Sequence, residues 1–303
     1  MRILVTGSSG FIGQHLLPKL NFLGEVYEFR NNLKNYELVG EEVKAISPDI
    51  VVHLAARTEV QESFYQQIEF SEVNYVGTVN LIESCKELPS MPYFVFASTM
   101  EVFGWQPISD EVERTGTYVN NVAFDENTHP NPNAPYAVAK YGCERYLEYA
   151  KRAYGLDFAG LRQTNCYGRK DNDYFVTEQI ITQMLKSDVC NLGYSEPYRN
   201  FIYIEDLLDA WLALITNRDT CKGNFFTVGP DDPRKISDCA NYIANQLEWS
   251  GQINWNTKPP RYGEIYWLNS NHTLLTNATG WKPKVTYEEG IDKTIFHRKQ
   301  LIT

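Results

Sequence analysis

The chain has 303 residues, 43% hydrophobic and 22% charged, the balance of an ordinary globular protein with room for one large core or two coupled lobes. Its net charge of −10 argues against a broad nucleic-acid surface, which needs a basic face, and leaves open only a local basic pocket for a phosphorylated small molecule. No apolar run approaches the roughly 18 residues of a membrane span, and no cationic-then-apolar leader precedes the first strand. The six cysteines lack C-x-x-C spacing and the histidines lack metal-ligand spacing, so a cytoplasmic protein with reduced thiols and no metal is expected.

Arg2–Val5 reads as a buried strand, Gly7, Gly10 and Gly13 punctuate a turn, and a helical pattern begins at Ile12. Glycines placed between a strand and a helix are the arrangement of a dinucleotide site. Gly7 allows the tight turn, Gly10 lets backbone approach a pyrophosphate, and Gly13 lets the helix pack closely on the strand. The helix N-terminus then offers unpaired N–H groups to the phosphates.

Alternation continues with a strand near Glu25–Phe29, a helix near Tyr36–Ile46 and a buried strand at Ile50–Leu54. A helix through Val73–Lys86, a strand at Tyr93–Ala97, a helix over Tyr136–Tyr154 and a strand near Asp157–Leu161 follow. Strands separated by helices predict a doubly wound parallel sheet covered on both faces, in an α/β Rossmann-like fold. Beyond about residue 165 helices near 175–187, 204–217 and 236–248 are joined by Pro/Gly-containing loops. The expected division is a dinucleotide-binding domain over 1–164 and a smaller C-terminal substrate-binding lobe over 165–303, with a segment near 200–215 returning to the first. The polar stretch Gly104–Pro135 is long enough to be a functional loop that helps to cover the substrate, with a peripheral excursion as the alternative.

Tyr136 and Lys140 stand four residues apart, on one face of their helix. A free phenol has a pKa near 10, too high for a base at neutral pH, and a neighbouring ammonium favours the phenolate. Tyr136 is then suited to exchange a proton with an alcohol or carbonyl while a nicotinamide exchanges hydride. Thr99, at the carboxyl end of the Tyr93–Ala97 strand, lies where ligands of such sheets bind and is placed to hydrogen-bond the same oxygen.

With these motifs the chain resembles the extended short-chain dehydrogenase/reductases of the nucleotide-sugar epimerase/dehydratase family, nearly from end to end. The resemblance rests on Thr6-Gly-Ser-Ser-Gly-Phe-Ile-Gly13, His53-Leu-Ala-Ala56, Asn74-x-x-Gly77-Thr78, Ser98-Thr-Met-Glu-Val-Phe-Gly104 and Tyr136-x-x-x-Lys140. Arg162-x-x-Asn165-x-Tyr167-Gly168, Phe201-Ile-Tyr-Ile-Glu-Asp206 and Gly280-Trp-Lys-Pro283 complete it. It implies a bound nicotinamide cofactor held by Gly7, Gly10, Phe11, Ile12, Gly13, Leu54, Ala55, Ala56, Asn74, Tyr136 and Lys140. It also implies a nucleotide-linked sugar in the second lobe, with Asn165, Arg199 and Arg261 as candidates for its pyrophosphate, and a homodimer formed through paired helices. Gly168-Arg169-Lys170 departs from the Gly-Pro-Arg usual there.

Where an NAD-preferring relative would carry an acid for the ribose, this chain has Arg30. A guanidinium pairs with a 2′-phosphate, so NADP(H) is expected over NAD(H); the alternative is that Arg30 is a solvated loop charge, with Glu28 serving from another register. Related 4,6-dehydratases often show Thr-Asp-Glu where this chain has Thr99-Met100-Glu101. Met100 donates no proton, which weakens the dehydratase reading, and Glu101 is either a base or a structural residue. The short connection from Arg30 to Pro48 resembles that of compact 4-ketosugar reductases. The expected activity is NADP(H)-dependent hydride transfer at C4 of a nucleotide-linked hexose, first as 4-ketosugar reduction, with 4-epimerisation and 4,6-dehydration as alternatives. The non-enzyme alternative, a dinucleotide-sensing scaffold, sits poorly with the retention of both Tyr136 and Lys140.

Overall fold

The computed structural model describes residues 1–116, 122–168, 172–258 and 263–302. The opening apolar run forms β1 (Arg2–Thr6), followed by α1 (Phe11–Leu20), β2 (Glu25–Glu28), α2 (Tyr36–Ile46) and β3 (Ile50–His53). Short helices α3 (Val60–Ser63) and α4 (Gln67–Phe70) lead through a π-helical stretch, Ser71–Val76, into α5 (Gly77–Lys86), and then β4 (Tyr93–Thr99). After α6 (Pro107–Thr115) come α7 (Pro135–Tyr154), with proline in its first turn and left-handed Gly155 at its end, and β5 (Phe158–Gln163). Proline pre-sets the helical φ where no backbone donor is needed, and glycine closes the helix at no Cβ cost.

The second half contains β6 (Asn165–Tyr167), α8 (Val176–Lys186), β7 (Val189–Asn191), β8 (Tyr198–Tyr203), α9 (Ile204–Thr216), α10 (Arg218–Cys221) and β9 (Asn224–Val228). It ends with β10 (Pro233–Lys235), α11 (Ile236–Gln246), β11 (Gln252–Asn254), α12 (Thr273–Thr279) and α13 (Tyr287–Ile302). No helix among the described residues is long and apolar enough to cross a membrane.

Among the described residues the main sheet has six strands in the order β2-β1-β3-β4-β5-β9, every neighbouring pair parallel. The chain steps from β1 to β2 on one side and then to β3, β4 and β5 on the other. The winding therefore reverses between β1 and β3, and a crevice opens there beyond the carboxyl ends of the strands. Ile3, Val5, Tyr93, Val95 and Ala97 face a cluster shared with α1 and α9, while Leu4, Phe94 and Phe96 face one shared with α2, α5 and α7. With both faces covered, β3 and β4 are buried at every residue and read as continuous apolar runs.

The sixth strand, β9, comes from the second half, where the sequence suggested a strand at Phe201–Ile204 but none at 224–228. Five residues between Gly223 and Gly229 carry too little pattern to stand out, and pairing with β5 is what makes them a strand. In the smaller lobe β6, β8 and β10 form a three-stranded sheet and β7 pairs with β11. The described part of the Gly104–Pro135 segment is not a bare loop. It contains α6 and contributes Val112 and Phe124 to an apolar cluster with Met100, Phe103, Trp267 and Leu268, which ties the end of β4 to the smaller lobe.

Candidate active site

The crevice at the switch point is a cleft of about 490 Å³ that runs from the glycine turn past the ends of β3 and β4 to β6 and α8. Gly7, Gly10, Phe11, Ile12, Gly13, Leu54, Ala55 and Ala56 all line one end of it. Gly7 has φ +71°, and a Cβ there would stand 2.6 Å from the amide nitrogen of Ala55, so the two loops meet with no room for a side chain. A Cβ on Gly13 would strike the backbone of Gly7 and Ser8, so that glycine lets the helix close on its own turn rather than on the strand. Gly10 caps α1 with no side chain to satisfy the first-turn amides. First-turn N–H groups at the positive end of a helix, beside a close-packed glycine turn, fit a pyrophosphate.

At the middle of the cleft lie Thr99, Glu101, Tyr136 and Lys140, brought together because β4 ends against the first turns of α7. Three contacts join these elements. Tyr136 and Thr99 are hydrogen-bonded through their side chains. Lys140 Nζ donates to the Ala97 carbonyl at 2.8 Å. Ser98 Oγ donates to Glu144 Oε1 at 2.6 Å. The helix residues are spaced by four, so one face of α7 presents them in a row. Arg162 of β5, paired in register with Ser98, holds Glu144 through Nε at 3.0 Å and Nη2 at 2.8 Å. Sequence reasoning took Arg162 only as part of a motif and missed Glu144, although it continues the four-residue spacing of Tyr136 and Lys140.

Burial dominates the electrostatics. It raises the Tyr136 phenol above its ordinary value, against the Thr99 hydrogen bond, and the Glu101 charge adds to the rise. It lowers the Lys140 ammonium to about 8, and that ammonium also lies 4.8 Å over the Phe96 ring. His53 is held between Thr6 and Thr78 hydroxyls at 2.6 and 2.8 Å, and burial lowers it to about 3. A neutral imidazole locked at both nitrogens is a strut between β1, β3 and α5.

The remaining candidates scatter. Asn165 lines the cleft. Asn74 does not; it sits in the π-helical stretch, accepts the Arg57 amide at 2.8 Å and donates to the Arg57 carbonyl at 2.9 Å, fixing the loop after β3 from behind. Arg30 is exposed beyond β2, and its amide donates to Glu42 at 3.0 Å. Arg199 is buried away from the cleft, bound to Glu264 at 2.7 Å and to the Ile265 carbonyl at 2.6 Å. Arg261 lies outside the described residues, as do Arg169 and Lys170. Cleft residues that the sequence did not mark include Arg57, Gln163, Thr164 and Glu178. No group of His, Cys, Asp and Glu among the described residues could hold a metal ion.

Known proteins share this architecture. A dTDP-D-glucose 4,6-dehydratase of Dictyostelium discoideum is 27% identical over 98% of this chain and 81% of its own length. A GDP-6-deoxy-D-mannose reductase of Pseudomonas aeruginosa is 25% identical over 96% of this chain and 94% of its own. The crystal structure of a UDP-glucose 4-epimerase from Thermotoga maritima with UDP-glucose superimposes with a TM-score of 0.88 at 25% identity, covering 100% of both chains. The model of the NAD dependent epimerase/dehydratase family matches residues 3–229, from the first strand to the end of β9. That span takes in the glycine turn, the Tyr136–Lys140 face and the whole central sheet, and the chain is an enzyme of the NAD dependent epimerase/dehydratase family, within the extended short-chain dehydrogenase/reductases.

Proposed function

We propose that this enzyme is an NADP(H)-dependent nucleotide-sugar oxidoreductase whose net reaction is reduction of a 4-ketosugar. The observation that carries the reading is the meeting of Thr99, Tyr136 and Lys140 at one wall of a cleft whose other end is the glycine turn. The amides of the turn would bind the pyrophosphate, with Leu54, Ala55 and Ala56 as the opposite wall. Arg30, at the end of β2, would face a 2′-phosphate. When bound, the nicotinamide supplies the hydride. Tyr136 supplies a proton to the C4 oxygen, Thr99 orients that oxygen, and Lys140 stabilises the phenolate left behind and holds the ribose. The nucleotide-linked sugar would extend toward Asn165 and the smaller lobe, with Arg199 and Arg261 as the proposed pyrophosphate ligands, Arg199 after release from Glu264.

Met100 favours reduction over dehydration. It is buried in the cluster with Phe103 and Trp267, so no acid stands between Thr99 and Glu101 to protonate a departing hydroxyl. Glu101 at the cleft wall favours the second reading, dehydration, because a carboxylate beside Tyr136 could remove the C5 proton. A panel of nucleoside-diphosphate 4-keto-hexoses with NADPH decides between them. Stoichiometric loss of reduced-nicotinamide absorbance supports reduction. Interconversion without net cofactor use, or solvent exchange at C5, overturns it. In Tyr136→Phe turnover should fall about 10²–10⁴-fold. In Arg30→Ala, NADPH should bind at least about tenfold more weakly with NADH little changed.

The six cysteines, none in a disulfide, suit a reducing compartment and support a cytoplasmic enzyme. A homodimer is supported by Ile68, Val138 and Tyr149, which are 76%, 55% and 50% exposed on the adjacent helices α4 and α7.

A further inference from the structure

Three consecutive residues at the end of β4 each meet one residue on a single face of α7. Ala97 accepts from Lys140, Ser98 donates to Glu144, and Thr99 bonds Tyr136. Two of these helix residues belong to the proposed chemistry. The third, Glu144, is fully buried and clasped by Arg162 through two hydrogen bonds, and the guanidinium lies 5.0 Å from the Phe103 ring and 5.6 Å from the Phe225 ring. A carboxylate without solvent demands such a partner, and replacing the pair by apolar residues is often neutral or stabilising. Packing alone therefore gives no reason for charge here.

We propose that Glu144 is a positioning residue for the Tyr136–Lys140 pair: clasped by Arg162, its carboxylate ties the end of β4 to α7 and supplies the negative charge that keeps the buried Lys140 ammonium charged. The inference rests on the reading of Tyr136 and Lys140 given above. The groups around Lys140 support it. On α7 the Cys143 thiol is pushed up to about 11 by burial and is neutral near neutral pH. From β3, His53 is lowered to about 3 and is neutral too. Glu101 and Glu59 act on Tyr136. From β4 Lys140 meets only the Ala97 carbonyl and the Phe96 ring. Burial lowers Lys140 to about 8, and Cys143 and Glu144 oppose it. With the thiol protonated, Glu144 is the anion that does so.

The test compares Glu144→Gln, Glu144→Asp and Glu144→Gln/Arg162→Met in the full chain, with thermal melting as the check on folding. The readout is the midpoint of the Lys140 titration, followed by NMR of protein carrying isotope-labelled lysine, with Lys140→Met to assign the signal. In Glu144→Gln that midpoint should fall by about one pH unit, and in the double variant, which also removes the Arg162 charge, it should fall by less; the alkaline limb of turnover should move down with each. Glu144→Asp keeps the charge, so its midpoint should stay at the wild-type value while kcat falls about tenfold through lost register. A folded neutral variant whose Lys140 midpoint coincides with wild type overturns the proposal. If Glu144→Gln unfolds because Arg162 is left alone, the double variant decides. If both unfold, a displaced midpoint in Glu144→Asp overturns it. Because the titration needs no substrate, its outcome is separate from that of Tyr136→Phe, whose unchanged turnover would instead overturn the reading of the site.

Discussion

His53 shows how a single buried side chain sets the protein's response to acid. Its folded-state value of about 3 lies below the unfolded value of 6.5, so between those limits only the unfolded chain takes up the proton. The stabilisation is complete above about 6.5 and is lost as pH falls toward about 3, a loss on the order of several kcal/mol for this one group. Melting temperature against pH should therefore fall more steeply in wild type than in His53→Asn, which keeps hydrogen-bonding atoms and cannot titrate. Equal slopes would show that other groups govern acid unfolding. Lys140 works in the opposite range. Lowered to about 8, its ammonium is lost as pH rises through that value, and turnover that depends on it should decline on the same side.

The strand–turn–helix unit at the start of the chain separates two uses of glycine. A Cβ at Gly10 would meet only the Gly7 carbonyl, at 3.3 Å, so Gly10→Ala should melt within a few degrees of wild type while binding the dinucleotide at least about tenfold more weakly. Gly13→Ala, which collides with backbone, should cost on the order of 2 kcal/mol or more and lose binding with stability. Differential scanning calorimetry paired with cofactor titration checks both. This unit was legible in the sequence because strand, turn and helix follow without interruption. The helices Tyr36–Ile46 and Tyr136–Tyr154 were legible from their sequence pattern. What was not legible depends on distant partners. Asn74 reads as a cleft residue until the π-helical stretch turns it toward the Arg57 backbone. The pairing of Arg199 could not be read either, because Glu264, which binds its guanidinium, lies far along the chain. Glu144 carried a visible spacing, but only Ser98 and Arg162 give it a meaning.

At the scale of the molecule, two surfaces remain to be accounted for. On α7, Val138 and Tyr149 stand exposed beside α4, and Gly142 between them faces the Tyr75 ring of the neighbouring π-helical stretch. If these helices pair with a second copy, Val138→Arg should shift sedimentation from dimer to monomer without lowering the stability of the monomer. The other surface is the edge of β5, which is covered only when Asn224–Val228 arrives to pair with Ala159–Gln163. A growing chain therefore carries a bare, apolar parallel edge throughout synthesis of the first smaller-lobe elements, from β6 to α10. Edges of that kind invite pairing with other chains. Stalling translation just before Asn224 should yield aggregation-prone, protease-sensitive nascent protein, and stalling well after Val228 should restore resistance. The strand that completes the sheet is thus also the point at which biosynthesis becomes safe.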